Sequence, residues 1–232
     1  MKTKFGKTIA GVALLFCAYG AGGCHGDLDI MQDNKLSASN MWKEESDATS
    51  ATYGLYVYLR SALKSMNDVY LCWGELRNGL WGPGTHNTLN GVDLSQVRTS
   101  TMSSVNEYAD WTALYTTVNQ ANLVIRHVPA MGLKEKPRAF CLGNAHFIRA
   151  YCFFQIARIW GDAPLPLWGY ESTDTELFLG RTPVSEVLMR VERDIADAER
   201  YVADTSDKAV ATPAAVAMLK ADYARWMYRM QA

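Results

Sequence analysis

Residues 143–165, Gly-Asn-Ala-His-Phe-Ile-Arg-Ala-Tyr-Cys-Phe-Phe-Gln-Ile-Ala-Arg-Ile-Trp-Gly-Asp-Ala-Pro-Leu, decide the fold class. Ala145, Ile148, Arg149, Cys152, Ile156 and Ile159 recur at three- and four-residue steps, the spacing of one helix face. Gly161 follows, with Pro164 and Pro166 beyond it, an arrangement that ends helices. A helix is therefore expected over about 137–159. One member of its stripe is an arginine. Buried charges are normally paired, so Arg149 is expected to meet a carboxylate, with Asp162 and Asp194 as the choices. The functional alternative makes Arg149 a ligand contact.

Outward from this stretch the same periodicity continues. Ala48, Ala51, Leu55, Tyr58 and Leu59 predict a helix over about 46–62. A further helix is expected over about 105–127, ended by Pro129 and Gly132. Thr182-Pro183 and Thr212-Pro213 each offer a threonine N-cap followed by proline at the first helical position. The first of these helices carries Val184, Val187, Leu188, Val191, Ile195, Ala198 and Val202 on one face; the second carries Val216, Leu219, Tyr223 and Met227. The two starts lie 30 residues apart, near the ~34-residue tetratricopeptide period. The class read from this pattern is all-α, with tetratricopeptide-like helix pairs. The exception is 79–102, where Gly79, Gly82, Pro83, Gly84, Asn87, Asn90 and Gly91 break any regular element. Such long loops are usually functional.

The N-terminus has a different logic. Lys2, Lys4 and Lys7 precede an apolar run, Ile9 to Tyr19, that is too short to span a hydrocarbon core of roughly 30 Å. Small residues 20–23 then lead to Cys24, so residues 1–23 read as a signal peptide. A cysteine there can take lipid, and two acyl signals make anchoring stable. Ala21-Gly22-Gly23-Cys24 resembles a bacterial lipobox, with Ala21 standing where leucine is usual. Cys17 is the competing position, behind a bulky Phe16. The plain alternative is an ordinary secretory signal with a chance cysteine. Residues 24–40 are polar and irregular and read as a tether, leaving 41–232 as the folded domain.

Of 232 residues, 49% are hydrophobic, enough for a packed core. The chain has 23 basic and 24 acidic residues with no basic block longer than two, which argues against a nucleic-acid partner. Cys141 and Cys152 fall on one predicted helix, roughly 16 Å apart by rise per residue. A disulfide needs Cα atoms within about 7 Å, so both read as buried thiols. His25, His86, His127 and His146 show no ligand spacing, and neither a metal nor a cofactor is expected.

The central stretch, Gly143 to Phe154 and then Trp160-Gly161-Asp162-Ala163-Pro164-Leu165, resembles the signature of the SusD/RagB nutrient-binding lipoproteins, with Asn144 where that family usually has glutamate. Three further segments match in order. They are Cys24 with Asp27-Leu28-Asp29; Trp111, Leu114, Tyr115, Asn119, Ala121 and Asn122; and Arg181-Thr182-Pro183 with Glu186-Val187 and Asp194-Ile195. The resemblance implies a tetratricopeptide-like helical scaffold. It also implies a lipid-anchored position on the outer face of the outer membrane, capture of an oligosaccharide or a peptide, and a SusC-like TonB-dependent transporter as partner, without enzymatic activity. Family members are longer, so the chain is expected to correspond to their N-terminal part.

Sugar recognition needs flat aromatics beside amide, carboxylate or guanidinium groups. Trp73, Glu75, Arg77, Asn78, Trp81, His86 and Asn87 combine these in and before the loop. Core packing is the competing account of Trp73 and loop shielding that of Trp81. Trp111, Tyr115, Phe153, Phe154 and Trp160 read as packing between helices. Glu44, Glu45 and Asp47 fit a helix start, and no nucleophile or phosphate-loop motif accompanies them to support catalysis. A helical-repeat adaptor for protein partners is a third reading, and would need an exposed apolar groove.

Overall fold

The computed structural model describes residues 41–78, 80, 92–171 and 178–231. Six α-helices lie among them: α1 Glu45–Gly74, α2 Val92–Thr99, α3 Thr112–His127, α4 Glu135–Trp160, α5 Val184–Tyr201 and α6 Pro213–Gln231. Short 3-10 turns cover Glu75–Asn78, Glu107–Ala109 and Val128–Ala130. Among the described residues there is no strand, only an isolated antiparallel bridge between Ala163 and Thr182. The all-α expectation holds.

Helix α4 runs through the middle. Leu142, Ala145, Ile148, Cys152, Phe153, Phe154 and Ile156 are all buried, so apolar groups surround the helix rather than marking one side. Helices α3 and α5 pack against it. Val187, Leu188, Val191, Ile195 and Ala198 form the buried stripe of α5 as its spacing predicts. At the α4–α5 crossing, a Cβ on Gly143 would lie 2.9 Å from the Val202 amide nitrogen and 3.0 Å from the Tyr201 carbonyl carbon. Backbone atoms cannot swing aside as a side-chain tip can. Gly143→Ala is therefore expected to lower stability by about 1–2 kcal/mol, although alanine is the better helix former. Urea denaturation measures this; a stabilised variant would show slack at the crossing.

Several predicted boundaries move. Helix α1 runs on to Gly74, well past the expected end near 62, because Ala62, Val69 and Trp73 continue its buried face beyond the polar Asn67-Asp68 pair. Residues 92–99 form a helix inside the expected loop. It closes with Ser100 at φ 57 and a hydrogen bond from the Thr101 amide to the Gln96 carbonyl, 2.9 Å. The expected helix start at 105 is displaced to 112. Asn106 accepts the Tyr108 amide at 2.8 Å and Asp110 the Thr112 amide at 2.8 Å, and such side-chain bonds compete with helix. Helix α4 ends at Gly161, φ 71, as read. Thr212 caps α6 through a 3.2 Å bond from the Ala215 amide, with Pro213 at the first position. Thr182 does not cap α5. Its backbone is held in the bridge to Ala163, and the Asp162 carboxylate accepts the Val184 amide instead, 2.8 Å.

The residues of α3 that carry the resemblance form one stripe with one task. The Tyr115 hydroxyl donates to the Pro164 carbonyl, 2.7 Å. Asn119 accepts the Tyr170 amide at 2.7 Å, and Asn122 donates to the Pro166 and Trp168 carbonyls at 3.0 and 3.1 Å. These side chains supply the partners that a non-helical strap over 162–170 would otherwise lack. Asn144 works similarly. Its amide oxygen accepts the Tyr56 hydroxyl and, at 3.1 Å, the Ala211 amide, fastening α1 and the start of α6 to α4. Cys141 and Cys152 are buried free thiols, consistent with their spacing.

Candidate functional site

Two polar constellations emerge. The first lies deep in the helix layer. Asp194 on α5 is fully buried and accepts Arg149 Nε and Nη2 at 2.8 and 2.7 Å, His146 Nδ1 at 2.8 Å and Arg190 Nη2 at 2.6 Å. Arg149 reaches on to Asn122 Oδ1 at 2.7 Å. Arg149 thus pairs with Asp194; Asp162, the other expected partner, serves the start of α5. Burial by itself would push the Asp194 carboxyl up. The hydrogen bonds from His146 and Arg149 and the charges of Arg149 and Arg190 outweigh it and hold the group at about 2, below the ordinary 3.8. His146, Asp194 and Asp197 are close enough to share a cation. Their surroundings do not suit one, because two guanidinium groups already occupy the Asp194 oxygens and would repel it. No sequence pattern revealed this grouping, since His146 and Asp194 lie 48 residues apart.

The second constellation is an open cleft of about 640 Å³, within the range of small-molecule sites. One wall is aromatic. Trp160, at the end of α4, meets the edges of Trp73 and Trp111 at centroid distances of 5.3 and 5.7 Å, and Trp111 meets Tyr115 at 5.5 Å. The 100–104 segment, which leaves α2 at the left-handed Ser100, adds Ser100, Ser103 and Ser104 beside Met102. Arg77 on the turn after α1, Arg181 before α5 and Asp110 bring charged groups to the lining. The Arg181 guanidinium sits 4.9 Å above the Trp111 ring and donates through Nη1 to the Asp162 carbonyl, 2.5 Å.

The predicted site residues divide. Trp73 and Arg77 both line the cleft. Trp73 is only 8% exposed and spends its indole N–H on the Tyr108 carbonyl, 2.8 Å, so it supports the wall more than it offers a free face. Asn78 is turned to other work, donating to Glu75 Oε2 at 2.9 Å and accepting the Leu80 amide at 2.8 Å. Trp81, His86 and Asn87 lie outside the described residues. Reasoning from sequence missed Trp111, Trp160 and Arg181 as cleft residues and assigned the first two to packing alone. They pack and line at once; no spacing rule joins positions 21 to 70 residues apart.

The family model whose description reads starch-binding associating with outer membrane matches residues 83–225, more than half of the chain. The chain belongs to the SusD-like family. SusD-like protein P38 of Formosa agariphila is 26% identical over 183 residues, covering 76% of this chain and 34% of that relative. SusD-like protein P25 of the same organism is 26% identical over 241 residues, covering 94% and 42%. Among solved structures, NanU of B. fragilis superposes with a TM-score of 0.69 at 27% identity, covering 86% of this chain and 40% of that one. The surface glycan-binding protein A of Bacteroides fluxus shares the fold at a TM-score of 0.65 and 19% identity, covering 81% and 40%. This SusD-like chain therefore spans less than half the length of the relatives it matches. Among the described residues no helix is long and apolar enough to cross a membrane.

Proposed function

We propose that this SusD-like chain captures oligosaccharide at the cell surface, held to the outer membrane by lipid on Cys24, and delivers it to a SusC-like TonB-dependent transporter. It works by binding, without catalysis. The observation that carries the reading is the cleft, which three indoles, serine hydroxyls and two guanidinium groups line together. Aromatic faces match the C–H faces of sugar rings, and the polar groups can fork onto hydroxyls. Family membership and the glycan-binding name of one structural neighbour support the ligand class. Residues 24–40 would serve as the leash.

Calorimetry with soluble oligosaccharides tests the ligand. Trp111→Ala is expected to weaken the preferred glycan roughly tenfold, the upper end for loss of one aromatic contact. Unchanged affinity would move the binding surface elsewhere, with Trp81→Ala as the variant that then shows the loss. Purification from native membranes in mild detergent tests the partner; recovery of a free monomer alone would count against the transporter. Labelling with a clickable fatty acid tests the anchor: the label should vanish in Cys24→Ala.

A further inference from the structure

The cleft holds an imbalance of charge that a neutral sugar leaves unexplained. Among the described residues Arg77 and Arg181 both line it with a single carboxylate, that of Asp110, one of whose oxygens already accepts the Thr112 amide. Among the described residues Arg77 makes no hydrogen bond, ion pair or ring contact. Arg181 is held in place from two sides, by the Trp111 ring and by the Asp162 carbonyl, and this fixes the plane of its guanidinium. Its Nε and Nη2 donors have no protein partner among the described residues. A fixed planar guanidinium with free donors is pre-organised for a two-oxygen anion, and little side-chain entropy is lost on binding. Two like charges around one open space also repel each other until an anion enters. The side chains of Ser100, Ser103 and Ser104, exposed and without partners among the described residues, supply hydroxyls beside them.

The geometry points to a sugar bearing a carboxylate or sulfate as the cleft's ligand, its anionic group between Arg77 and Arg181 and its ring toward the tryptophan wall. This rests on the oligosaccharide-binding reading above. The test is an array of oligosaccharides in which uronate-containing and sulfated members are paired with their carboxyl-reduced and desulfated counterparts, followed by calorimetry on the strongest hit. An acidic member should bind at least roughly tenfold tighter than its neutral pair, and Arg77→Gln should lose about that factor, as expected for one charge-assisted hydrogen bond. Arg98→Gln, an exposed arginine outside the cleft, should bind like wild type. Preference for uronate or for sulfate identifies the source of the anion. Equal binding of acidic and neutral pairs, or an Arg77→Gln variant that binds as tightly as wild type, overturns the anionic assignment and leaves oligosaccharide capture standing. Absence of binding across the whole array overturns both.

Discussion

Asp194→Ala should destabilise the protein by about 3–5 kcal/mol, the cost of leaving a buried charge without its partner. The carboxylate is fully buried and receives hydrogen bonds from Arg149, His146 and Arg190. Arg149, only 3% exposed, would keep Asn122 and lose its counter-charge. Because Asn122 also holds the 166–168 strap, near-ultraviolet circular dichroism should report loosened aromatic packing before helix content falls. Acid should act through the same group. The folded carboxyl, at about 2 instead of 3.8, binds its proton less tightly than the unfolded one. Its contribution, about 2 kcal/mol, is therefore complete above the unfolded value and is lost as pH falls through the folded one. Urea midpoints followed from neutral pH into this acid window measure it in the wild-type protein. A variant as stable as wild type, or a midpoint indifferent to acid, would mean that the cluster is dispensable.

Phe154→Ala is expected to cost a comparable 3–5 kcal/mol, but with a local signature. Phe154 is fully buried on α4 and meets Tyr223 and Trp226 of α6 at ring distances of 5.9 and 6.4 Å. Arg158 lies 4.4 Å over the same ring and bonds Asp222 at 3.1 Å. Val216, Leu219 and Tyr223 are the buried apolar residues of α6, and each is worth about 1.5–3 kcal/mol. Losing the ring that Tyr223 and Trp226 pack against should free α6 first. Hydrogen exchange should then rise across 213–231 while 142–153 stays protected. Uniform loosening of both helices would show instead that α6 is an integral part of the core.

The helices around the central stretch were legible because their information is local. Apolar spacing predicts which face α5 buries, and Gly161 and Thr212-Pro213 set a real end of α4 and a real start of α6. The errors fall where a tertiary partner overrides a local signal. Thr182 has every attribute of an N-cap, yet the bridge to Ala163 takes its backbone and Asp162 takes the role. Residues 105–111 have enough apolar character for helix, yet Asn106 ties them to α2 through bonds to the Asp93 carbonyl and Gln96 Oε1 at 3.0 and 2.8 Å.

The site divides along the same line. Residue order alone sufficed to recognise the family and the helical class, because motifs and periodicity are properties of neighbours in the chain, and two of the residues it singled out, Trp73 and Arg77, line the cleft. Which carboxylate neutralises Arg149, and which tryptophans share a wall with Arg181, depends on crossings between helices far apart in sequence. Those choices are made by packing in three dimensions, where a buried charge takes the partner it can reach and an indole takes the neighbour whose edge it meets.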